Sequence, residues 1–250
     1  MRAYCTLVWR ELTAHFFSWA AYVIIAAVVF LIGLGFAITL KGLNGLGTPV
    51  PVTQLFYQTY CFWMILLIIP PVITMRTFAL EKSTGTYETL MTTPVSEVQV
   101  VLAKFSGALI FGFIMWLPLL GCLFIVRSYS GESSALDGGA ISSTFLGIFL
   151  IGALYTSMGV FASAITRSQI IAMMVGVGLG LSLFLLSFLN TAMSSVPGWA
   201  GELLAYVAVT EHMRDFSQGV VDTRPVIFCL TLTVLFLIWT WKAVETRRWK

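Results

Sequence analysis

RTFALEKSTGTYETLMTTPVSEVQVVLAK, residues Arg76 to Lys104, is a polar interval between two long apolar runs. Its pattern is that of a structured loop. Gly85 and Thr84 break the helix that comes through Leu80 and Lys82, and Thr86 is placed to cap a new one. On that short helix Tyr87, Leu90 and Met91 fall at i, i+3 and i+4 and share one face. Pro94 stops it. Val95 to Val100 then reads as a fresh start, with Ser96 as N-cap, Gln99 closing a capping box, and Val95 and Val100 as the hydrophobic staple. The stretch encodes a short amphipathic helix, with Glu81, Lys82 and Glu88 beside its apolar face, presented at a membrane surface between two apolar helices. A soluble partner could grip such a helix. An ordinary structured loop accounts for the same pattern, and the residues alone leave both readings open.

The apolar flanks extend over nearly the whole chain. Of 250 residues, 58% are hydrophobic and 10% charged, against about 25% charged in soluble domains. A hydrocarbon core needs about 20 apolar residues per helical span, and six runs qualify: Trp19 to Leu40, Leu55 to Met75, Val101 to Val126, Ile141 to Ile165, Ile170 to Leu189 and Val226 to Trp241. The expected fold is all-α, a polytopic protein whose residues 1–250 form a single transmembrane domain, with no room for a soluble catalytic module. Six spans put both termini on one side. With that side inside, ten basic residues (Arg2, Arg10, Arg76, Lys82, Lys104, Arg167, Lys242, Arg247, Arg248 and Lys250) oppose four outside (Lys41, Arg127, Arg214 and Arg224), which favours cytoplasmic termini. The net charge of +3 follows from this asymmetry and gives no reason to invoke nucleic acid.

Before the first span, Tyr4, Leu7, Val8 and Leu12 form an apolar stripe, with Arg2, Arg10 and Glu11 among the polar positions. This suits a helix lying along the inner interface; a plain extension of the first span is the alternative. Its apolar run is too long for a signal-peptide core, and no small-residue cleavage site follows convincingly. Pro70-Pro71 and Pro118 are expected to bend spans two and three. Thr166 to Gln169 is so short that spans four and five must be antiparallel neighbours. Gly152 and Gly159, with Gly176, Gly178 and Gly180, allow close helix approach, and Gly176/Gly180 has GxxxG spacing, suited to a dimer face or to packing within one subunit. The segment Arg127 to Ala140 reads as an irregular outer loop. Between Asn190 and Pro225, Pro197 can open a helix through Val207 and Thr210 can cap another that ends before Gly219; apolar helices there suggest a re-entrant pair. Arg247-Arg248-Trp249 reads as an inner anchor.

The missing chemistry is equally informative. No Asp, Glu, Lys, Arg or His lies mid-span, which argues against a proton relay, and no HExxH, GxSxG or GxxxxGK[ST] motif exists for hydrolysis or nucleotide binding. Glu211-His212 reads as a polar surface pair. Cys5, Cys61, Cys122 and Cys229 have no metal-ligand spacing and read as small packing residues.

Glu81-Lys82-Ser83-Thr84-Gly85-Thr86-Tyr87-Glu88-Thr89-Leu90, then Thr93-Pro94-Val95-Ser96 and Lys104, resembles the inner loop of the ABC-2 type permeases. His212, Phe216, Gly219-Val220, Asp222 and Arg224, with the terminal Arg247-Arg248-Trp249, also look similar. The chain is most similar to the branch that includes gliding-motility-associated and nitrous-oxide-reductase-maturation permeases. The resemblance implies a permease subunit in a bacterial inner membrane that exports an unidentified substrate; a non-ATP-driven channel or a membrane scaffold is the rival reading. It implies an ABC ATP-binding subunit carrying ATP and magnesium, with no cofactor in this chain. A second permease subunit, alike or different, surrounding lipid and an accessory membrane or extracytoplasmic protein are the other implied partners. Glu81, Gly85, Thr86, Tyr87, Glu88, Leu90, Met91 and Pro94 would form the coupling helix, and no residue is assigned to substrate.

Overall fold

In hydrocarbon a backbone amide finds no water, so an apolar run must bond within itself as a helix. The computed structural model describes residues 2–43, 52–86, 96–130, 138–192 and 206–246, and among these it contains helices and no strand. In chain order they are α1 (Arg2–Phe16), α2 (Trp19–Leu43), α3 (Val52–Tyr57), α4 (Tyr60–Thr74), α5 (Ala79–Thr84) and α6 (Glu97–Ile114). They continue as α7 (Leu117–Ser130), α8 (Gly138–Ile165), α9 (Gln169–Ala192), α10 (Val209–Ser217) and α11 (Thr223–Glu245). Six stretches are long and apolar enough to cross a membrane: Trp19–Gly42, Tyr60–Thr84, Glu97–Val126, Gly138–Ile165, Gln169–Phe188 and Thr223–Glu245. The protein is a multi-pass membrane protein of the all-α class.

Spans two and three differ from the uninterrupted runs the sequence suggests. Leu55 belongs to the separate helix α3, because Thr59 adopts an extended conformation between α3 and α4 and its Oγ1 donates to the Phe56 carbonyl at 2.7 Å. Pro70 and Pro71 stay inside α4, and the chain leaves the helix only after Thr74. Pro118 does interrupt its span: α6 ends at Ile114 and α7 starts at Leu117, joined by tight turns from Trp116 N to Phe113 O and from Leu119 N to Trp116 O. The first helix is likewise separate, since α1 stops before Phe17-Ser18 and α2 begins at Trp19.

The centre of the bundle is α8, the most buried of the spans, packed by α4, α9 and α11. Two of its approaches need glycine. A methyl group at Gly159 would collide with Thr74 Oγ1, and one at Gly176 of α9 would lie 3.1 Å from Pro71 Cβ and 3.5 Å from Gly159 Cα. Gly180 meets the Tyr155 ring in the same way. The Gly176/Gly180 pair is therefore used within the subunit. Gly152 and Gly178 have open space where a side chain would go, so they are not close-approach positions.

At one end of the bundle Phe78, Val100, Val101, Val160, Ala164 and Val244 form a small separate core. These residues come from the neighbourhood of α5, the start of α6, and the ends of α8 and α11, so this end gathers the roots of the Arg76–Lys104 stretch and the last helix. We call it the base. At the opposite end α10 is pressed into the bundle, with Val209, Met213 and Phe216 fully buried. Thr210 lies inside α10 and does not cap it; Ala208 holds the N-cap position with no side-chain bond. Gly219, with φ of 89°, ends this segment, and Asp222 then caps α11 through the Arg224 amide. His212 is buried and not a surface group: its Nε2 lies 3.0 Å from the Tyr206 carbonyl, whereas Glu211 is exposed. Of the cysteines, Cys61 and Cys229 are buried, and Cys5 is exposed on α1, so it is no packing residue.

Candidate functional site

The base is built around Lys104. Lys104, Gly107, Ala108 and Phe111 recur at i, i+3, i+4 and i+7 and so line one face of α6. Gly107 lets α1 come close, because a methyl group there would lie 2.9 Å from Glu11 Cβ. Further along the same face, Phe111 stacks on His15 at 5.2 Å and meets Phe16 edge-on at 5.0 Å. Tyr4 Oη and Ser106 Oγ, 2.7 Å apart, fix the other end of α1.

This approach buries a charge cluster. Lys104 is 1% exposed, and its Nζ donates to Glu81 Oε1 at 2.6 Å, to the Thr77 carbonyl at 2.8 Å and to Glu11 Oε1 at 3.3 Å. It also sits 5.2 Å from the Phe78 ring centroid. Arg10 Nη2 adds a second bond to Glu11 Oε1 at 2.8 Å. Burial alone would raise the Glu11 carboxyl, but Lys104 and Arg10 outweigh it and hold Glu11 below the ordinary carboxylate range. Burial, with Lys104 and Arg76 nearby, holds His15 below the usual histidine value despite Glu11. One ammonium thus joins the first helix α1, the turn before α5, α5 itself and α6. By its spacing Glu11 is one of the polar positions beside the apolar stripe of α1, and Lys104 is one of the basic residues assigned to the inner side. The structure turns both inward, where each satisfies the other's burial.

The turn between α4 and α5 is fixed from α8. Ser163 Oγ accepts from the amides of Phe78 (3.1 Å) and Ala79 (3.0 Å) and donates to the Met75 carbonyl at 3.3 Å. Lys82 Nζ donates to the Ala164 carbonyl. Ser163 stands in an apolar run and carries no motif, so nothing in its own neighbourhood marks it. The one available signal was that a small polar residue facing a helix end has backbone amides to satisfy.

Of the expected coupling residues, Glu81 lies on α5 within this cluster. Gly85 closes α5 in the left-handed conformation with φ of 76°, and Thr86 Oγ1 lies 2.9 Å from Thr84 Oγ1. Ser96 caps α6 by accepting from the Gln99 amide, as its spacing predicts. Tyr87, Glu88, Leu90, Met91 and Pro94 lie outside the described residues, as does the helix they were expected to form. Among the described residues, no group of three or more His, Cys, Asp or Glu is gathered as metal ligands.

Residues 46–242 match the ABC-2 family transporter protein model. The chain belongs to this family. No curated protein sequence matches it. The ABC-2 match makes the chain a transporter membrane component, and it spans both roots of the loop, Glu81 and Lys104. Glu11 and His15, on α1, precede the matched residues, so the charge cluster joins an element inside the family's shared region to one before it.

Proposed function

We propose that this ABC-2 protein is the permease subunit of an exporter driven by ATP that a separate ATP-binding subunit hydrolyses. On this reading the base faces the cytoplasm of a bacterial cell, as the ten-to-four division of basic residues favours. The ATP-binding subunit docks on residues 87–95, a second permease subunit completes the pore, and the protein falls within the branch of gliding-motility and nitrous-oxide-reductase-maturation permeases. The observation that carries this reading is the bracing of both ends of the docking segment. Glu81 on α5 and Lys104 on α6 are ion-paired at 2.6 Å, while Ser163 and Ala164 tie the α5 side to the central helix α8. A push on residues 87–95 therefore reaches α4, α6, α8 and, through Glu11, α1. That is a rigid-body lever from a local event to the bundle.

Leu90→Asp tests the docking. It puts a charge on the apolar face of Tyr87, Leu90 and Met91 and leaves the spans unchanged. Membrane insertion should be normal, while copurification of the ATP-binding subunit and stimulated ATP hydrolysis should be lost. Leu136→Asp, in the stretch whose sequence reads as an outer loop, should do neither. Retained binding and coupling in Leu90→Asp would overturn the docking assignment, and substrate movement without any ATP-binding subunit would favour a channel instead.

A further inference from the structure

A cavity of about 660 Å³ opens at the base between α1, the first turns of α2 and the α4–α5 turn, within the roughly 300–1,000 Å³ of ligand sites. Its polar part carries Arg10, Arg76, Lys104, Glu11, Glu81 and His15. The two carboxylates are already engaged, Glu11 by Arg10 and Lys104 and Glu81 by Lys104. Three fixed cations against two carboxylates leave one positive charge in excess. That excess rests on Arg76, which is half-buried and whose hydrogen bond goes to a neutral group, Ser18 Oγ at 3.1 Å. His15 Nε2 is buried and has no hydrogen-bond partner among the described residues. Among the described residues no carboxylate pairs with this half-buried guanidinium, and a phosphate is what its donor fork fits.

The other wall is apolar and belongs to membrane spans: Ala20, Ala21 and Ile24 of α2 face Val72 and Ile73 of α4 across the cavity. Ser18, beside Arg76, is flanked by Phe17 and Trp19, exposed by 86% and 89%. Exposed aromatics of this kind belong at the level of lipid headgroups. The cationic part therefore lies at headgroup depth and the apolar part continues toward the hydrocarbon.

We propose that this cavity is a binding site for an anionic phospholipid, with its phosphate held by Arg76, Arg10 and Ser18 and its upper acyl chain against Ile24 and Val72. The lipid supplies the missing counter-ion and bridges α1 to α4, so it steadies the same joint as Lys104 from the membrane side. The site does not depend on the ATP-binding partner, and its test is made on the full permease chain alone.

The test measures binding of fluorescent phosphatidylglycerol, and of phosphatidylcholine with the same acyl chains, to the purified chain in mixed detergent micelles. Phosphatidylglycerol should bind at least about tenfold more tightly, and Arg76→Gln should remove about that factor by deleting a charge-assisted contact. Millimolar inorganic phosphate should not compete, since it has no acyl chain to occupy the apolar wall. Ala20→Trp changes no charge and fills the wall, so it should reduce retention of phosphatidylglycerol. Equal binding of the two lipids, unchanged binding in Arg76→Gln, or displacement by phosphate would each overturn the proposal. Should Arg76→Gln fail to fold, Ala20→Trp decides: lost retention supports the site and wild-type retention overturns it.

Discussion

The two ends of the bundle solve one packing problem with opposite chemistry. At the base, Glu11 of α1 sits over Gly107 of α6; at the far end, Phe216 of α10 sits over Gly147 of α8, where a methyl group would lie 2.8 Å from the ring. Each glycine admits a side chain from a short helix outside the spans. Around Phe216 the seat is apolar and its bonds are to backbone: Ser143 Oγ donates to the Phe216 carbonyl at 2.6 Å, and Ser187 Oγ accepts from the Val209 amide at 2.8 Å. Around Glu11 the seat is ionic and shared among four segments. An apolar plug is held wherever water is excluded. An ionic joint is held only while all its members keep their charge, so it can be loosened by a local change in charge or position. The packing of the base therefore depends on charge, and that of the far end does not.

The largest effect expected from breaking this contrast is that of Lys104→Met. Removing the ammonium strips Glu81 of its ion partner and leaves Glu11 with Arg10 alone, in a site where Lys104 is 1% exposed. Losing one partner of a buried ion cluster costs about 3–5 kcal/mol, a large part of the stability of most folds. The triple change Lys104→Met, Glu11→Gln and Glu81→Gln should recover much of the loss, because no charge then remains buried. Thermal unfolding in detergent, followed by size-exclusion chromatography, measures both. If the single variant matches wild type, the cluster is not what holds α1 and α5 together.

Next come the two glycines. Gly147→Ala drives a methyl group into the Phe216 ring, and overpacking of this kind costs roughly 1–3 kcal/mol. Gly107→Ala meets Glu11 Cβ at 2.9 Å and should cost a similar amount, but with a different signature. Moving α1 also strains the Glu11–Lys104 bond, so its loss should vary with salt concentration, while that of Gly147→Ala should not. Gly152→Ala has open space and should be neutral or gain up to about 1 kcal/mol of helix propensity.

The contrast also marks how far the sequence could be read. Six spans, the separate first helix, the stop at Gly85, the Ser96 cap and the bend near Pro118 follow from local rules of apolar run length, capping and proline geometry, and the structure bears them out. The inward turn of Glu11, the burial of Lys104 and His212, and the role of Ser163 were not legible. Glu11 and Ser163 depend on partners 93 and at least 84 positions away, Lys104 on carboxylates 23 and 93 positions away, and His212 on how a short helix is rotated against the bundle. A charged residue near a span end reads as solvated until its counter-charge is known. Thr210 misleads for a related reason: a good capping residue marks a helix start only if tertiary packing does not begin the helix earlier, here by two residues.

Ser163→Ala comes next in size. It removes the acceptor of the Phe78 and Ala79 amides at the start of α5, with a cost of about 1 kcal/mol per lost bond. The loss should be local. Amide hydrogen exchange should quicken in the α4–α5 turn while α10 keeps its protection; equal protection in the turn would mean that Ser163 is only a space-filler.

The smallest expected effect sets the chain's two histidines against each other, one at each end. Burial holds both below the usual value of 6.5, so both are neutral in the fold. A group whose folded value is depressed contributes stability that is present above its unfolded value and lost as pH falls through the folded one. Acidification from pH 7 should therefore lower the unfolding temperature from about 6.5 downward, before Glu11, itself depressed from 4.5, begins to protonate. The two histidines should not contribute equally. His212 has the Tyr206 carbonyl at 3.0 Å, with Asp215 and Glu211 to stabilise an added proton. His15 has Glu11 on its side, but Lys104 and Arg76 oppose it and its Nε2 has no partner among the described residues. His15→Phe keeps the aromatic stack on Phe111 and cannot take up a proton, so it should flatten the pH dependence below about 6.5 more than His212→Phe does. Glu11→Gln should flatten only the part below about 4.5. A larger effect from His212→Phe would place the acid-sensitive joint at the far end and reverse the contrast.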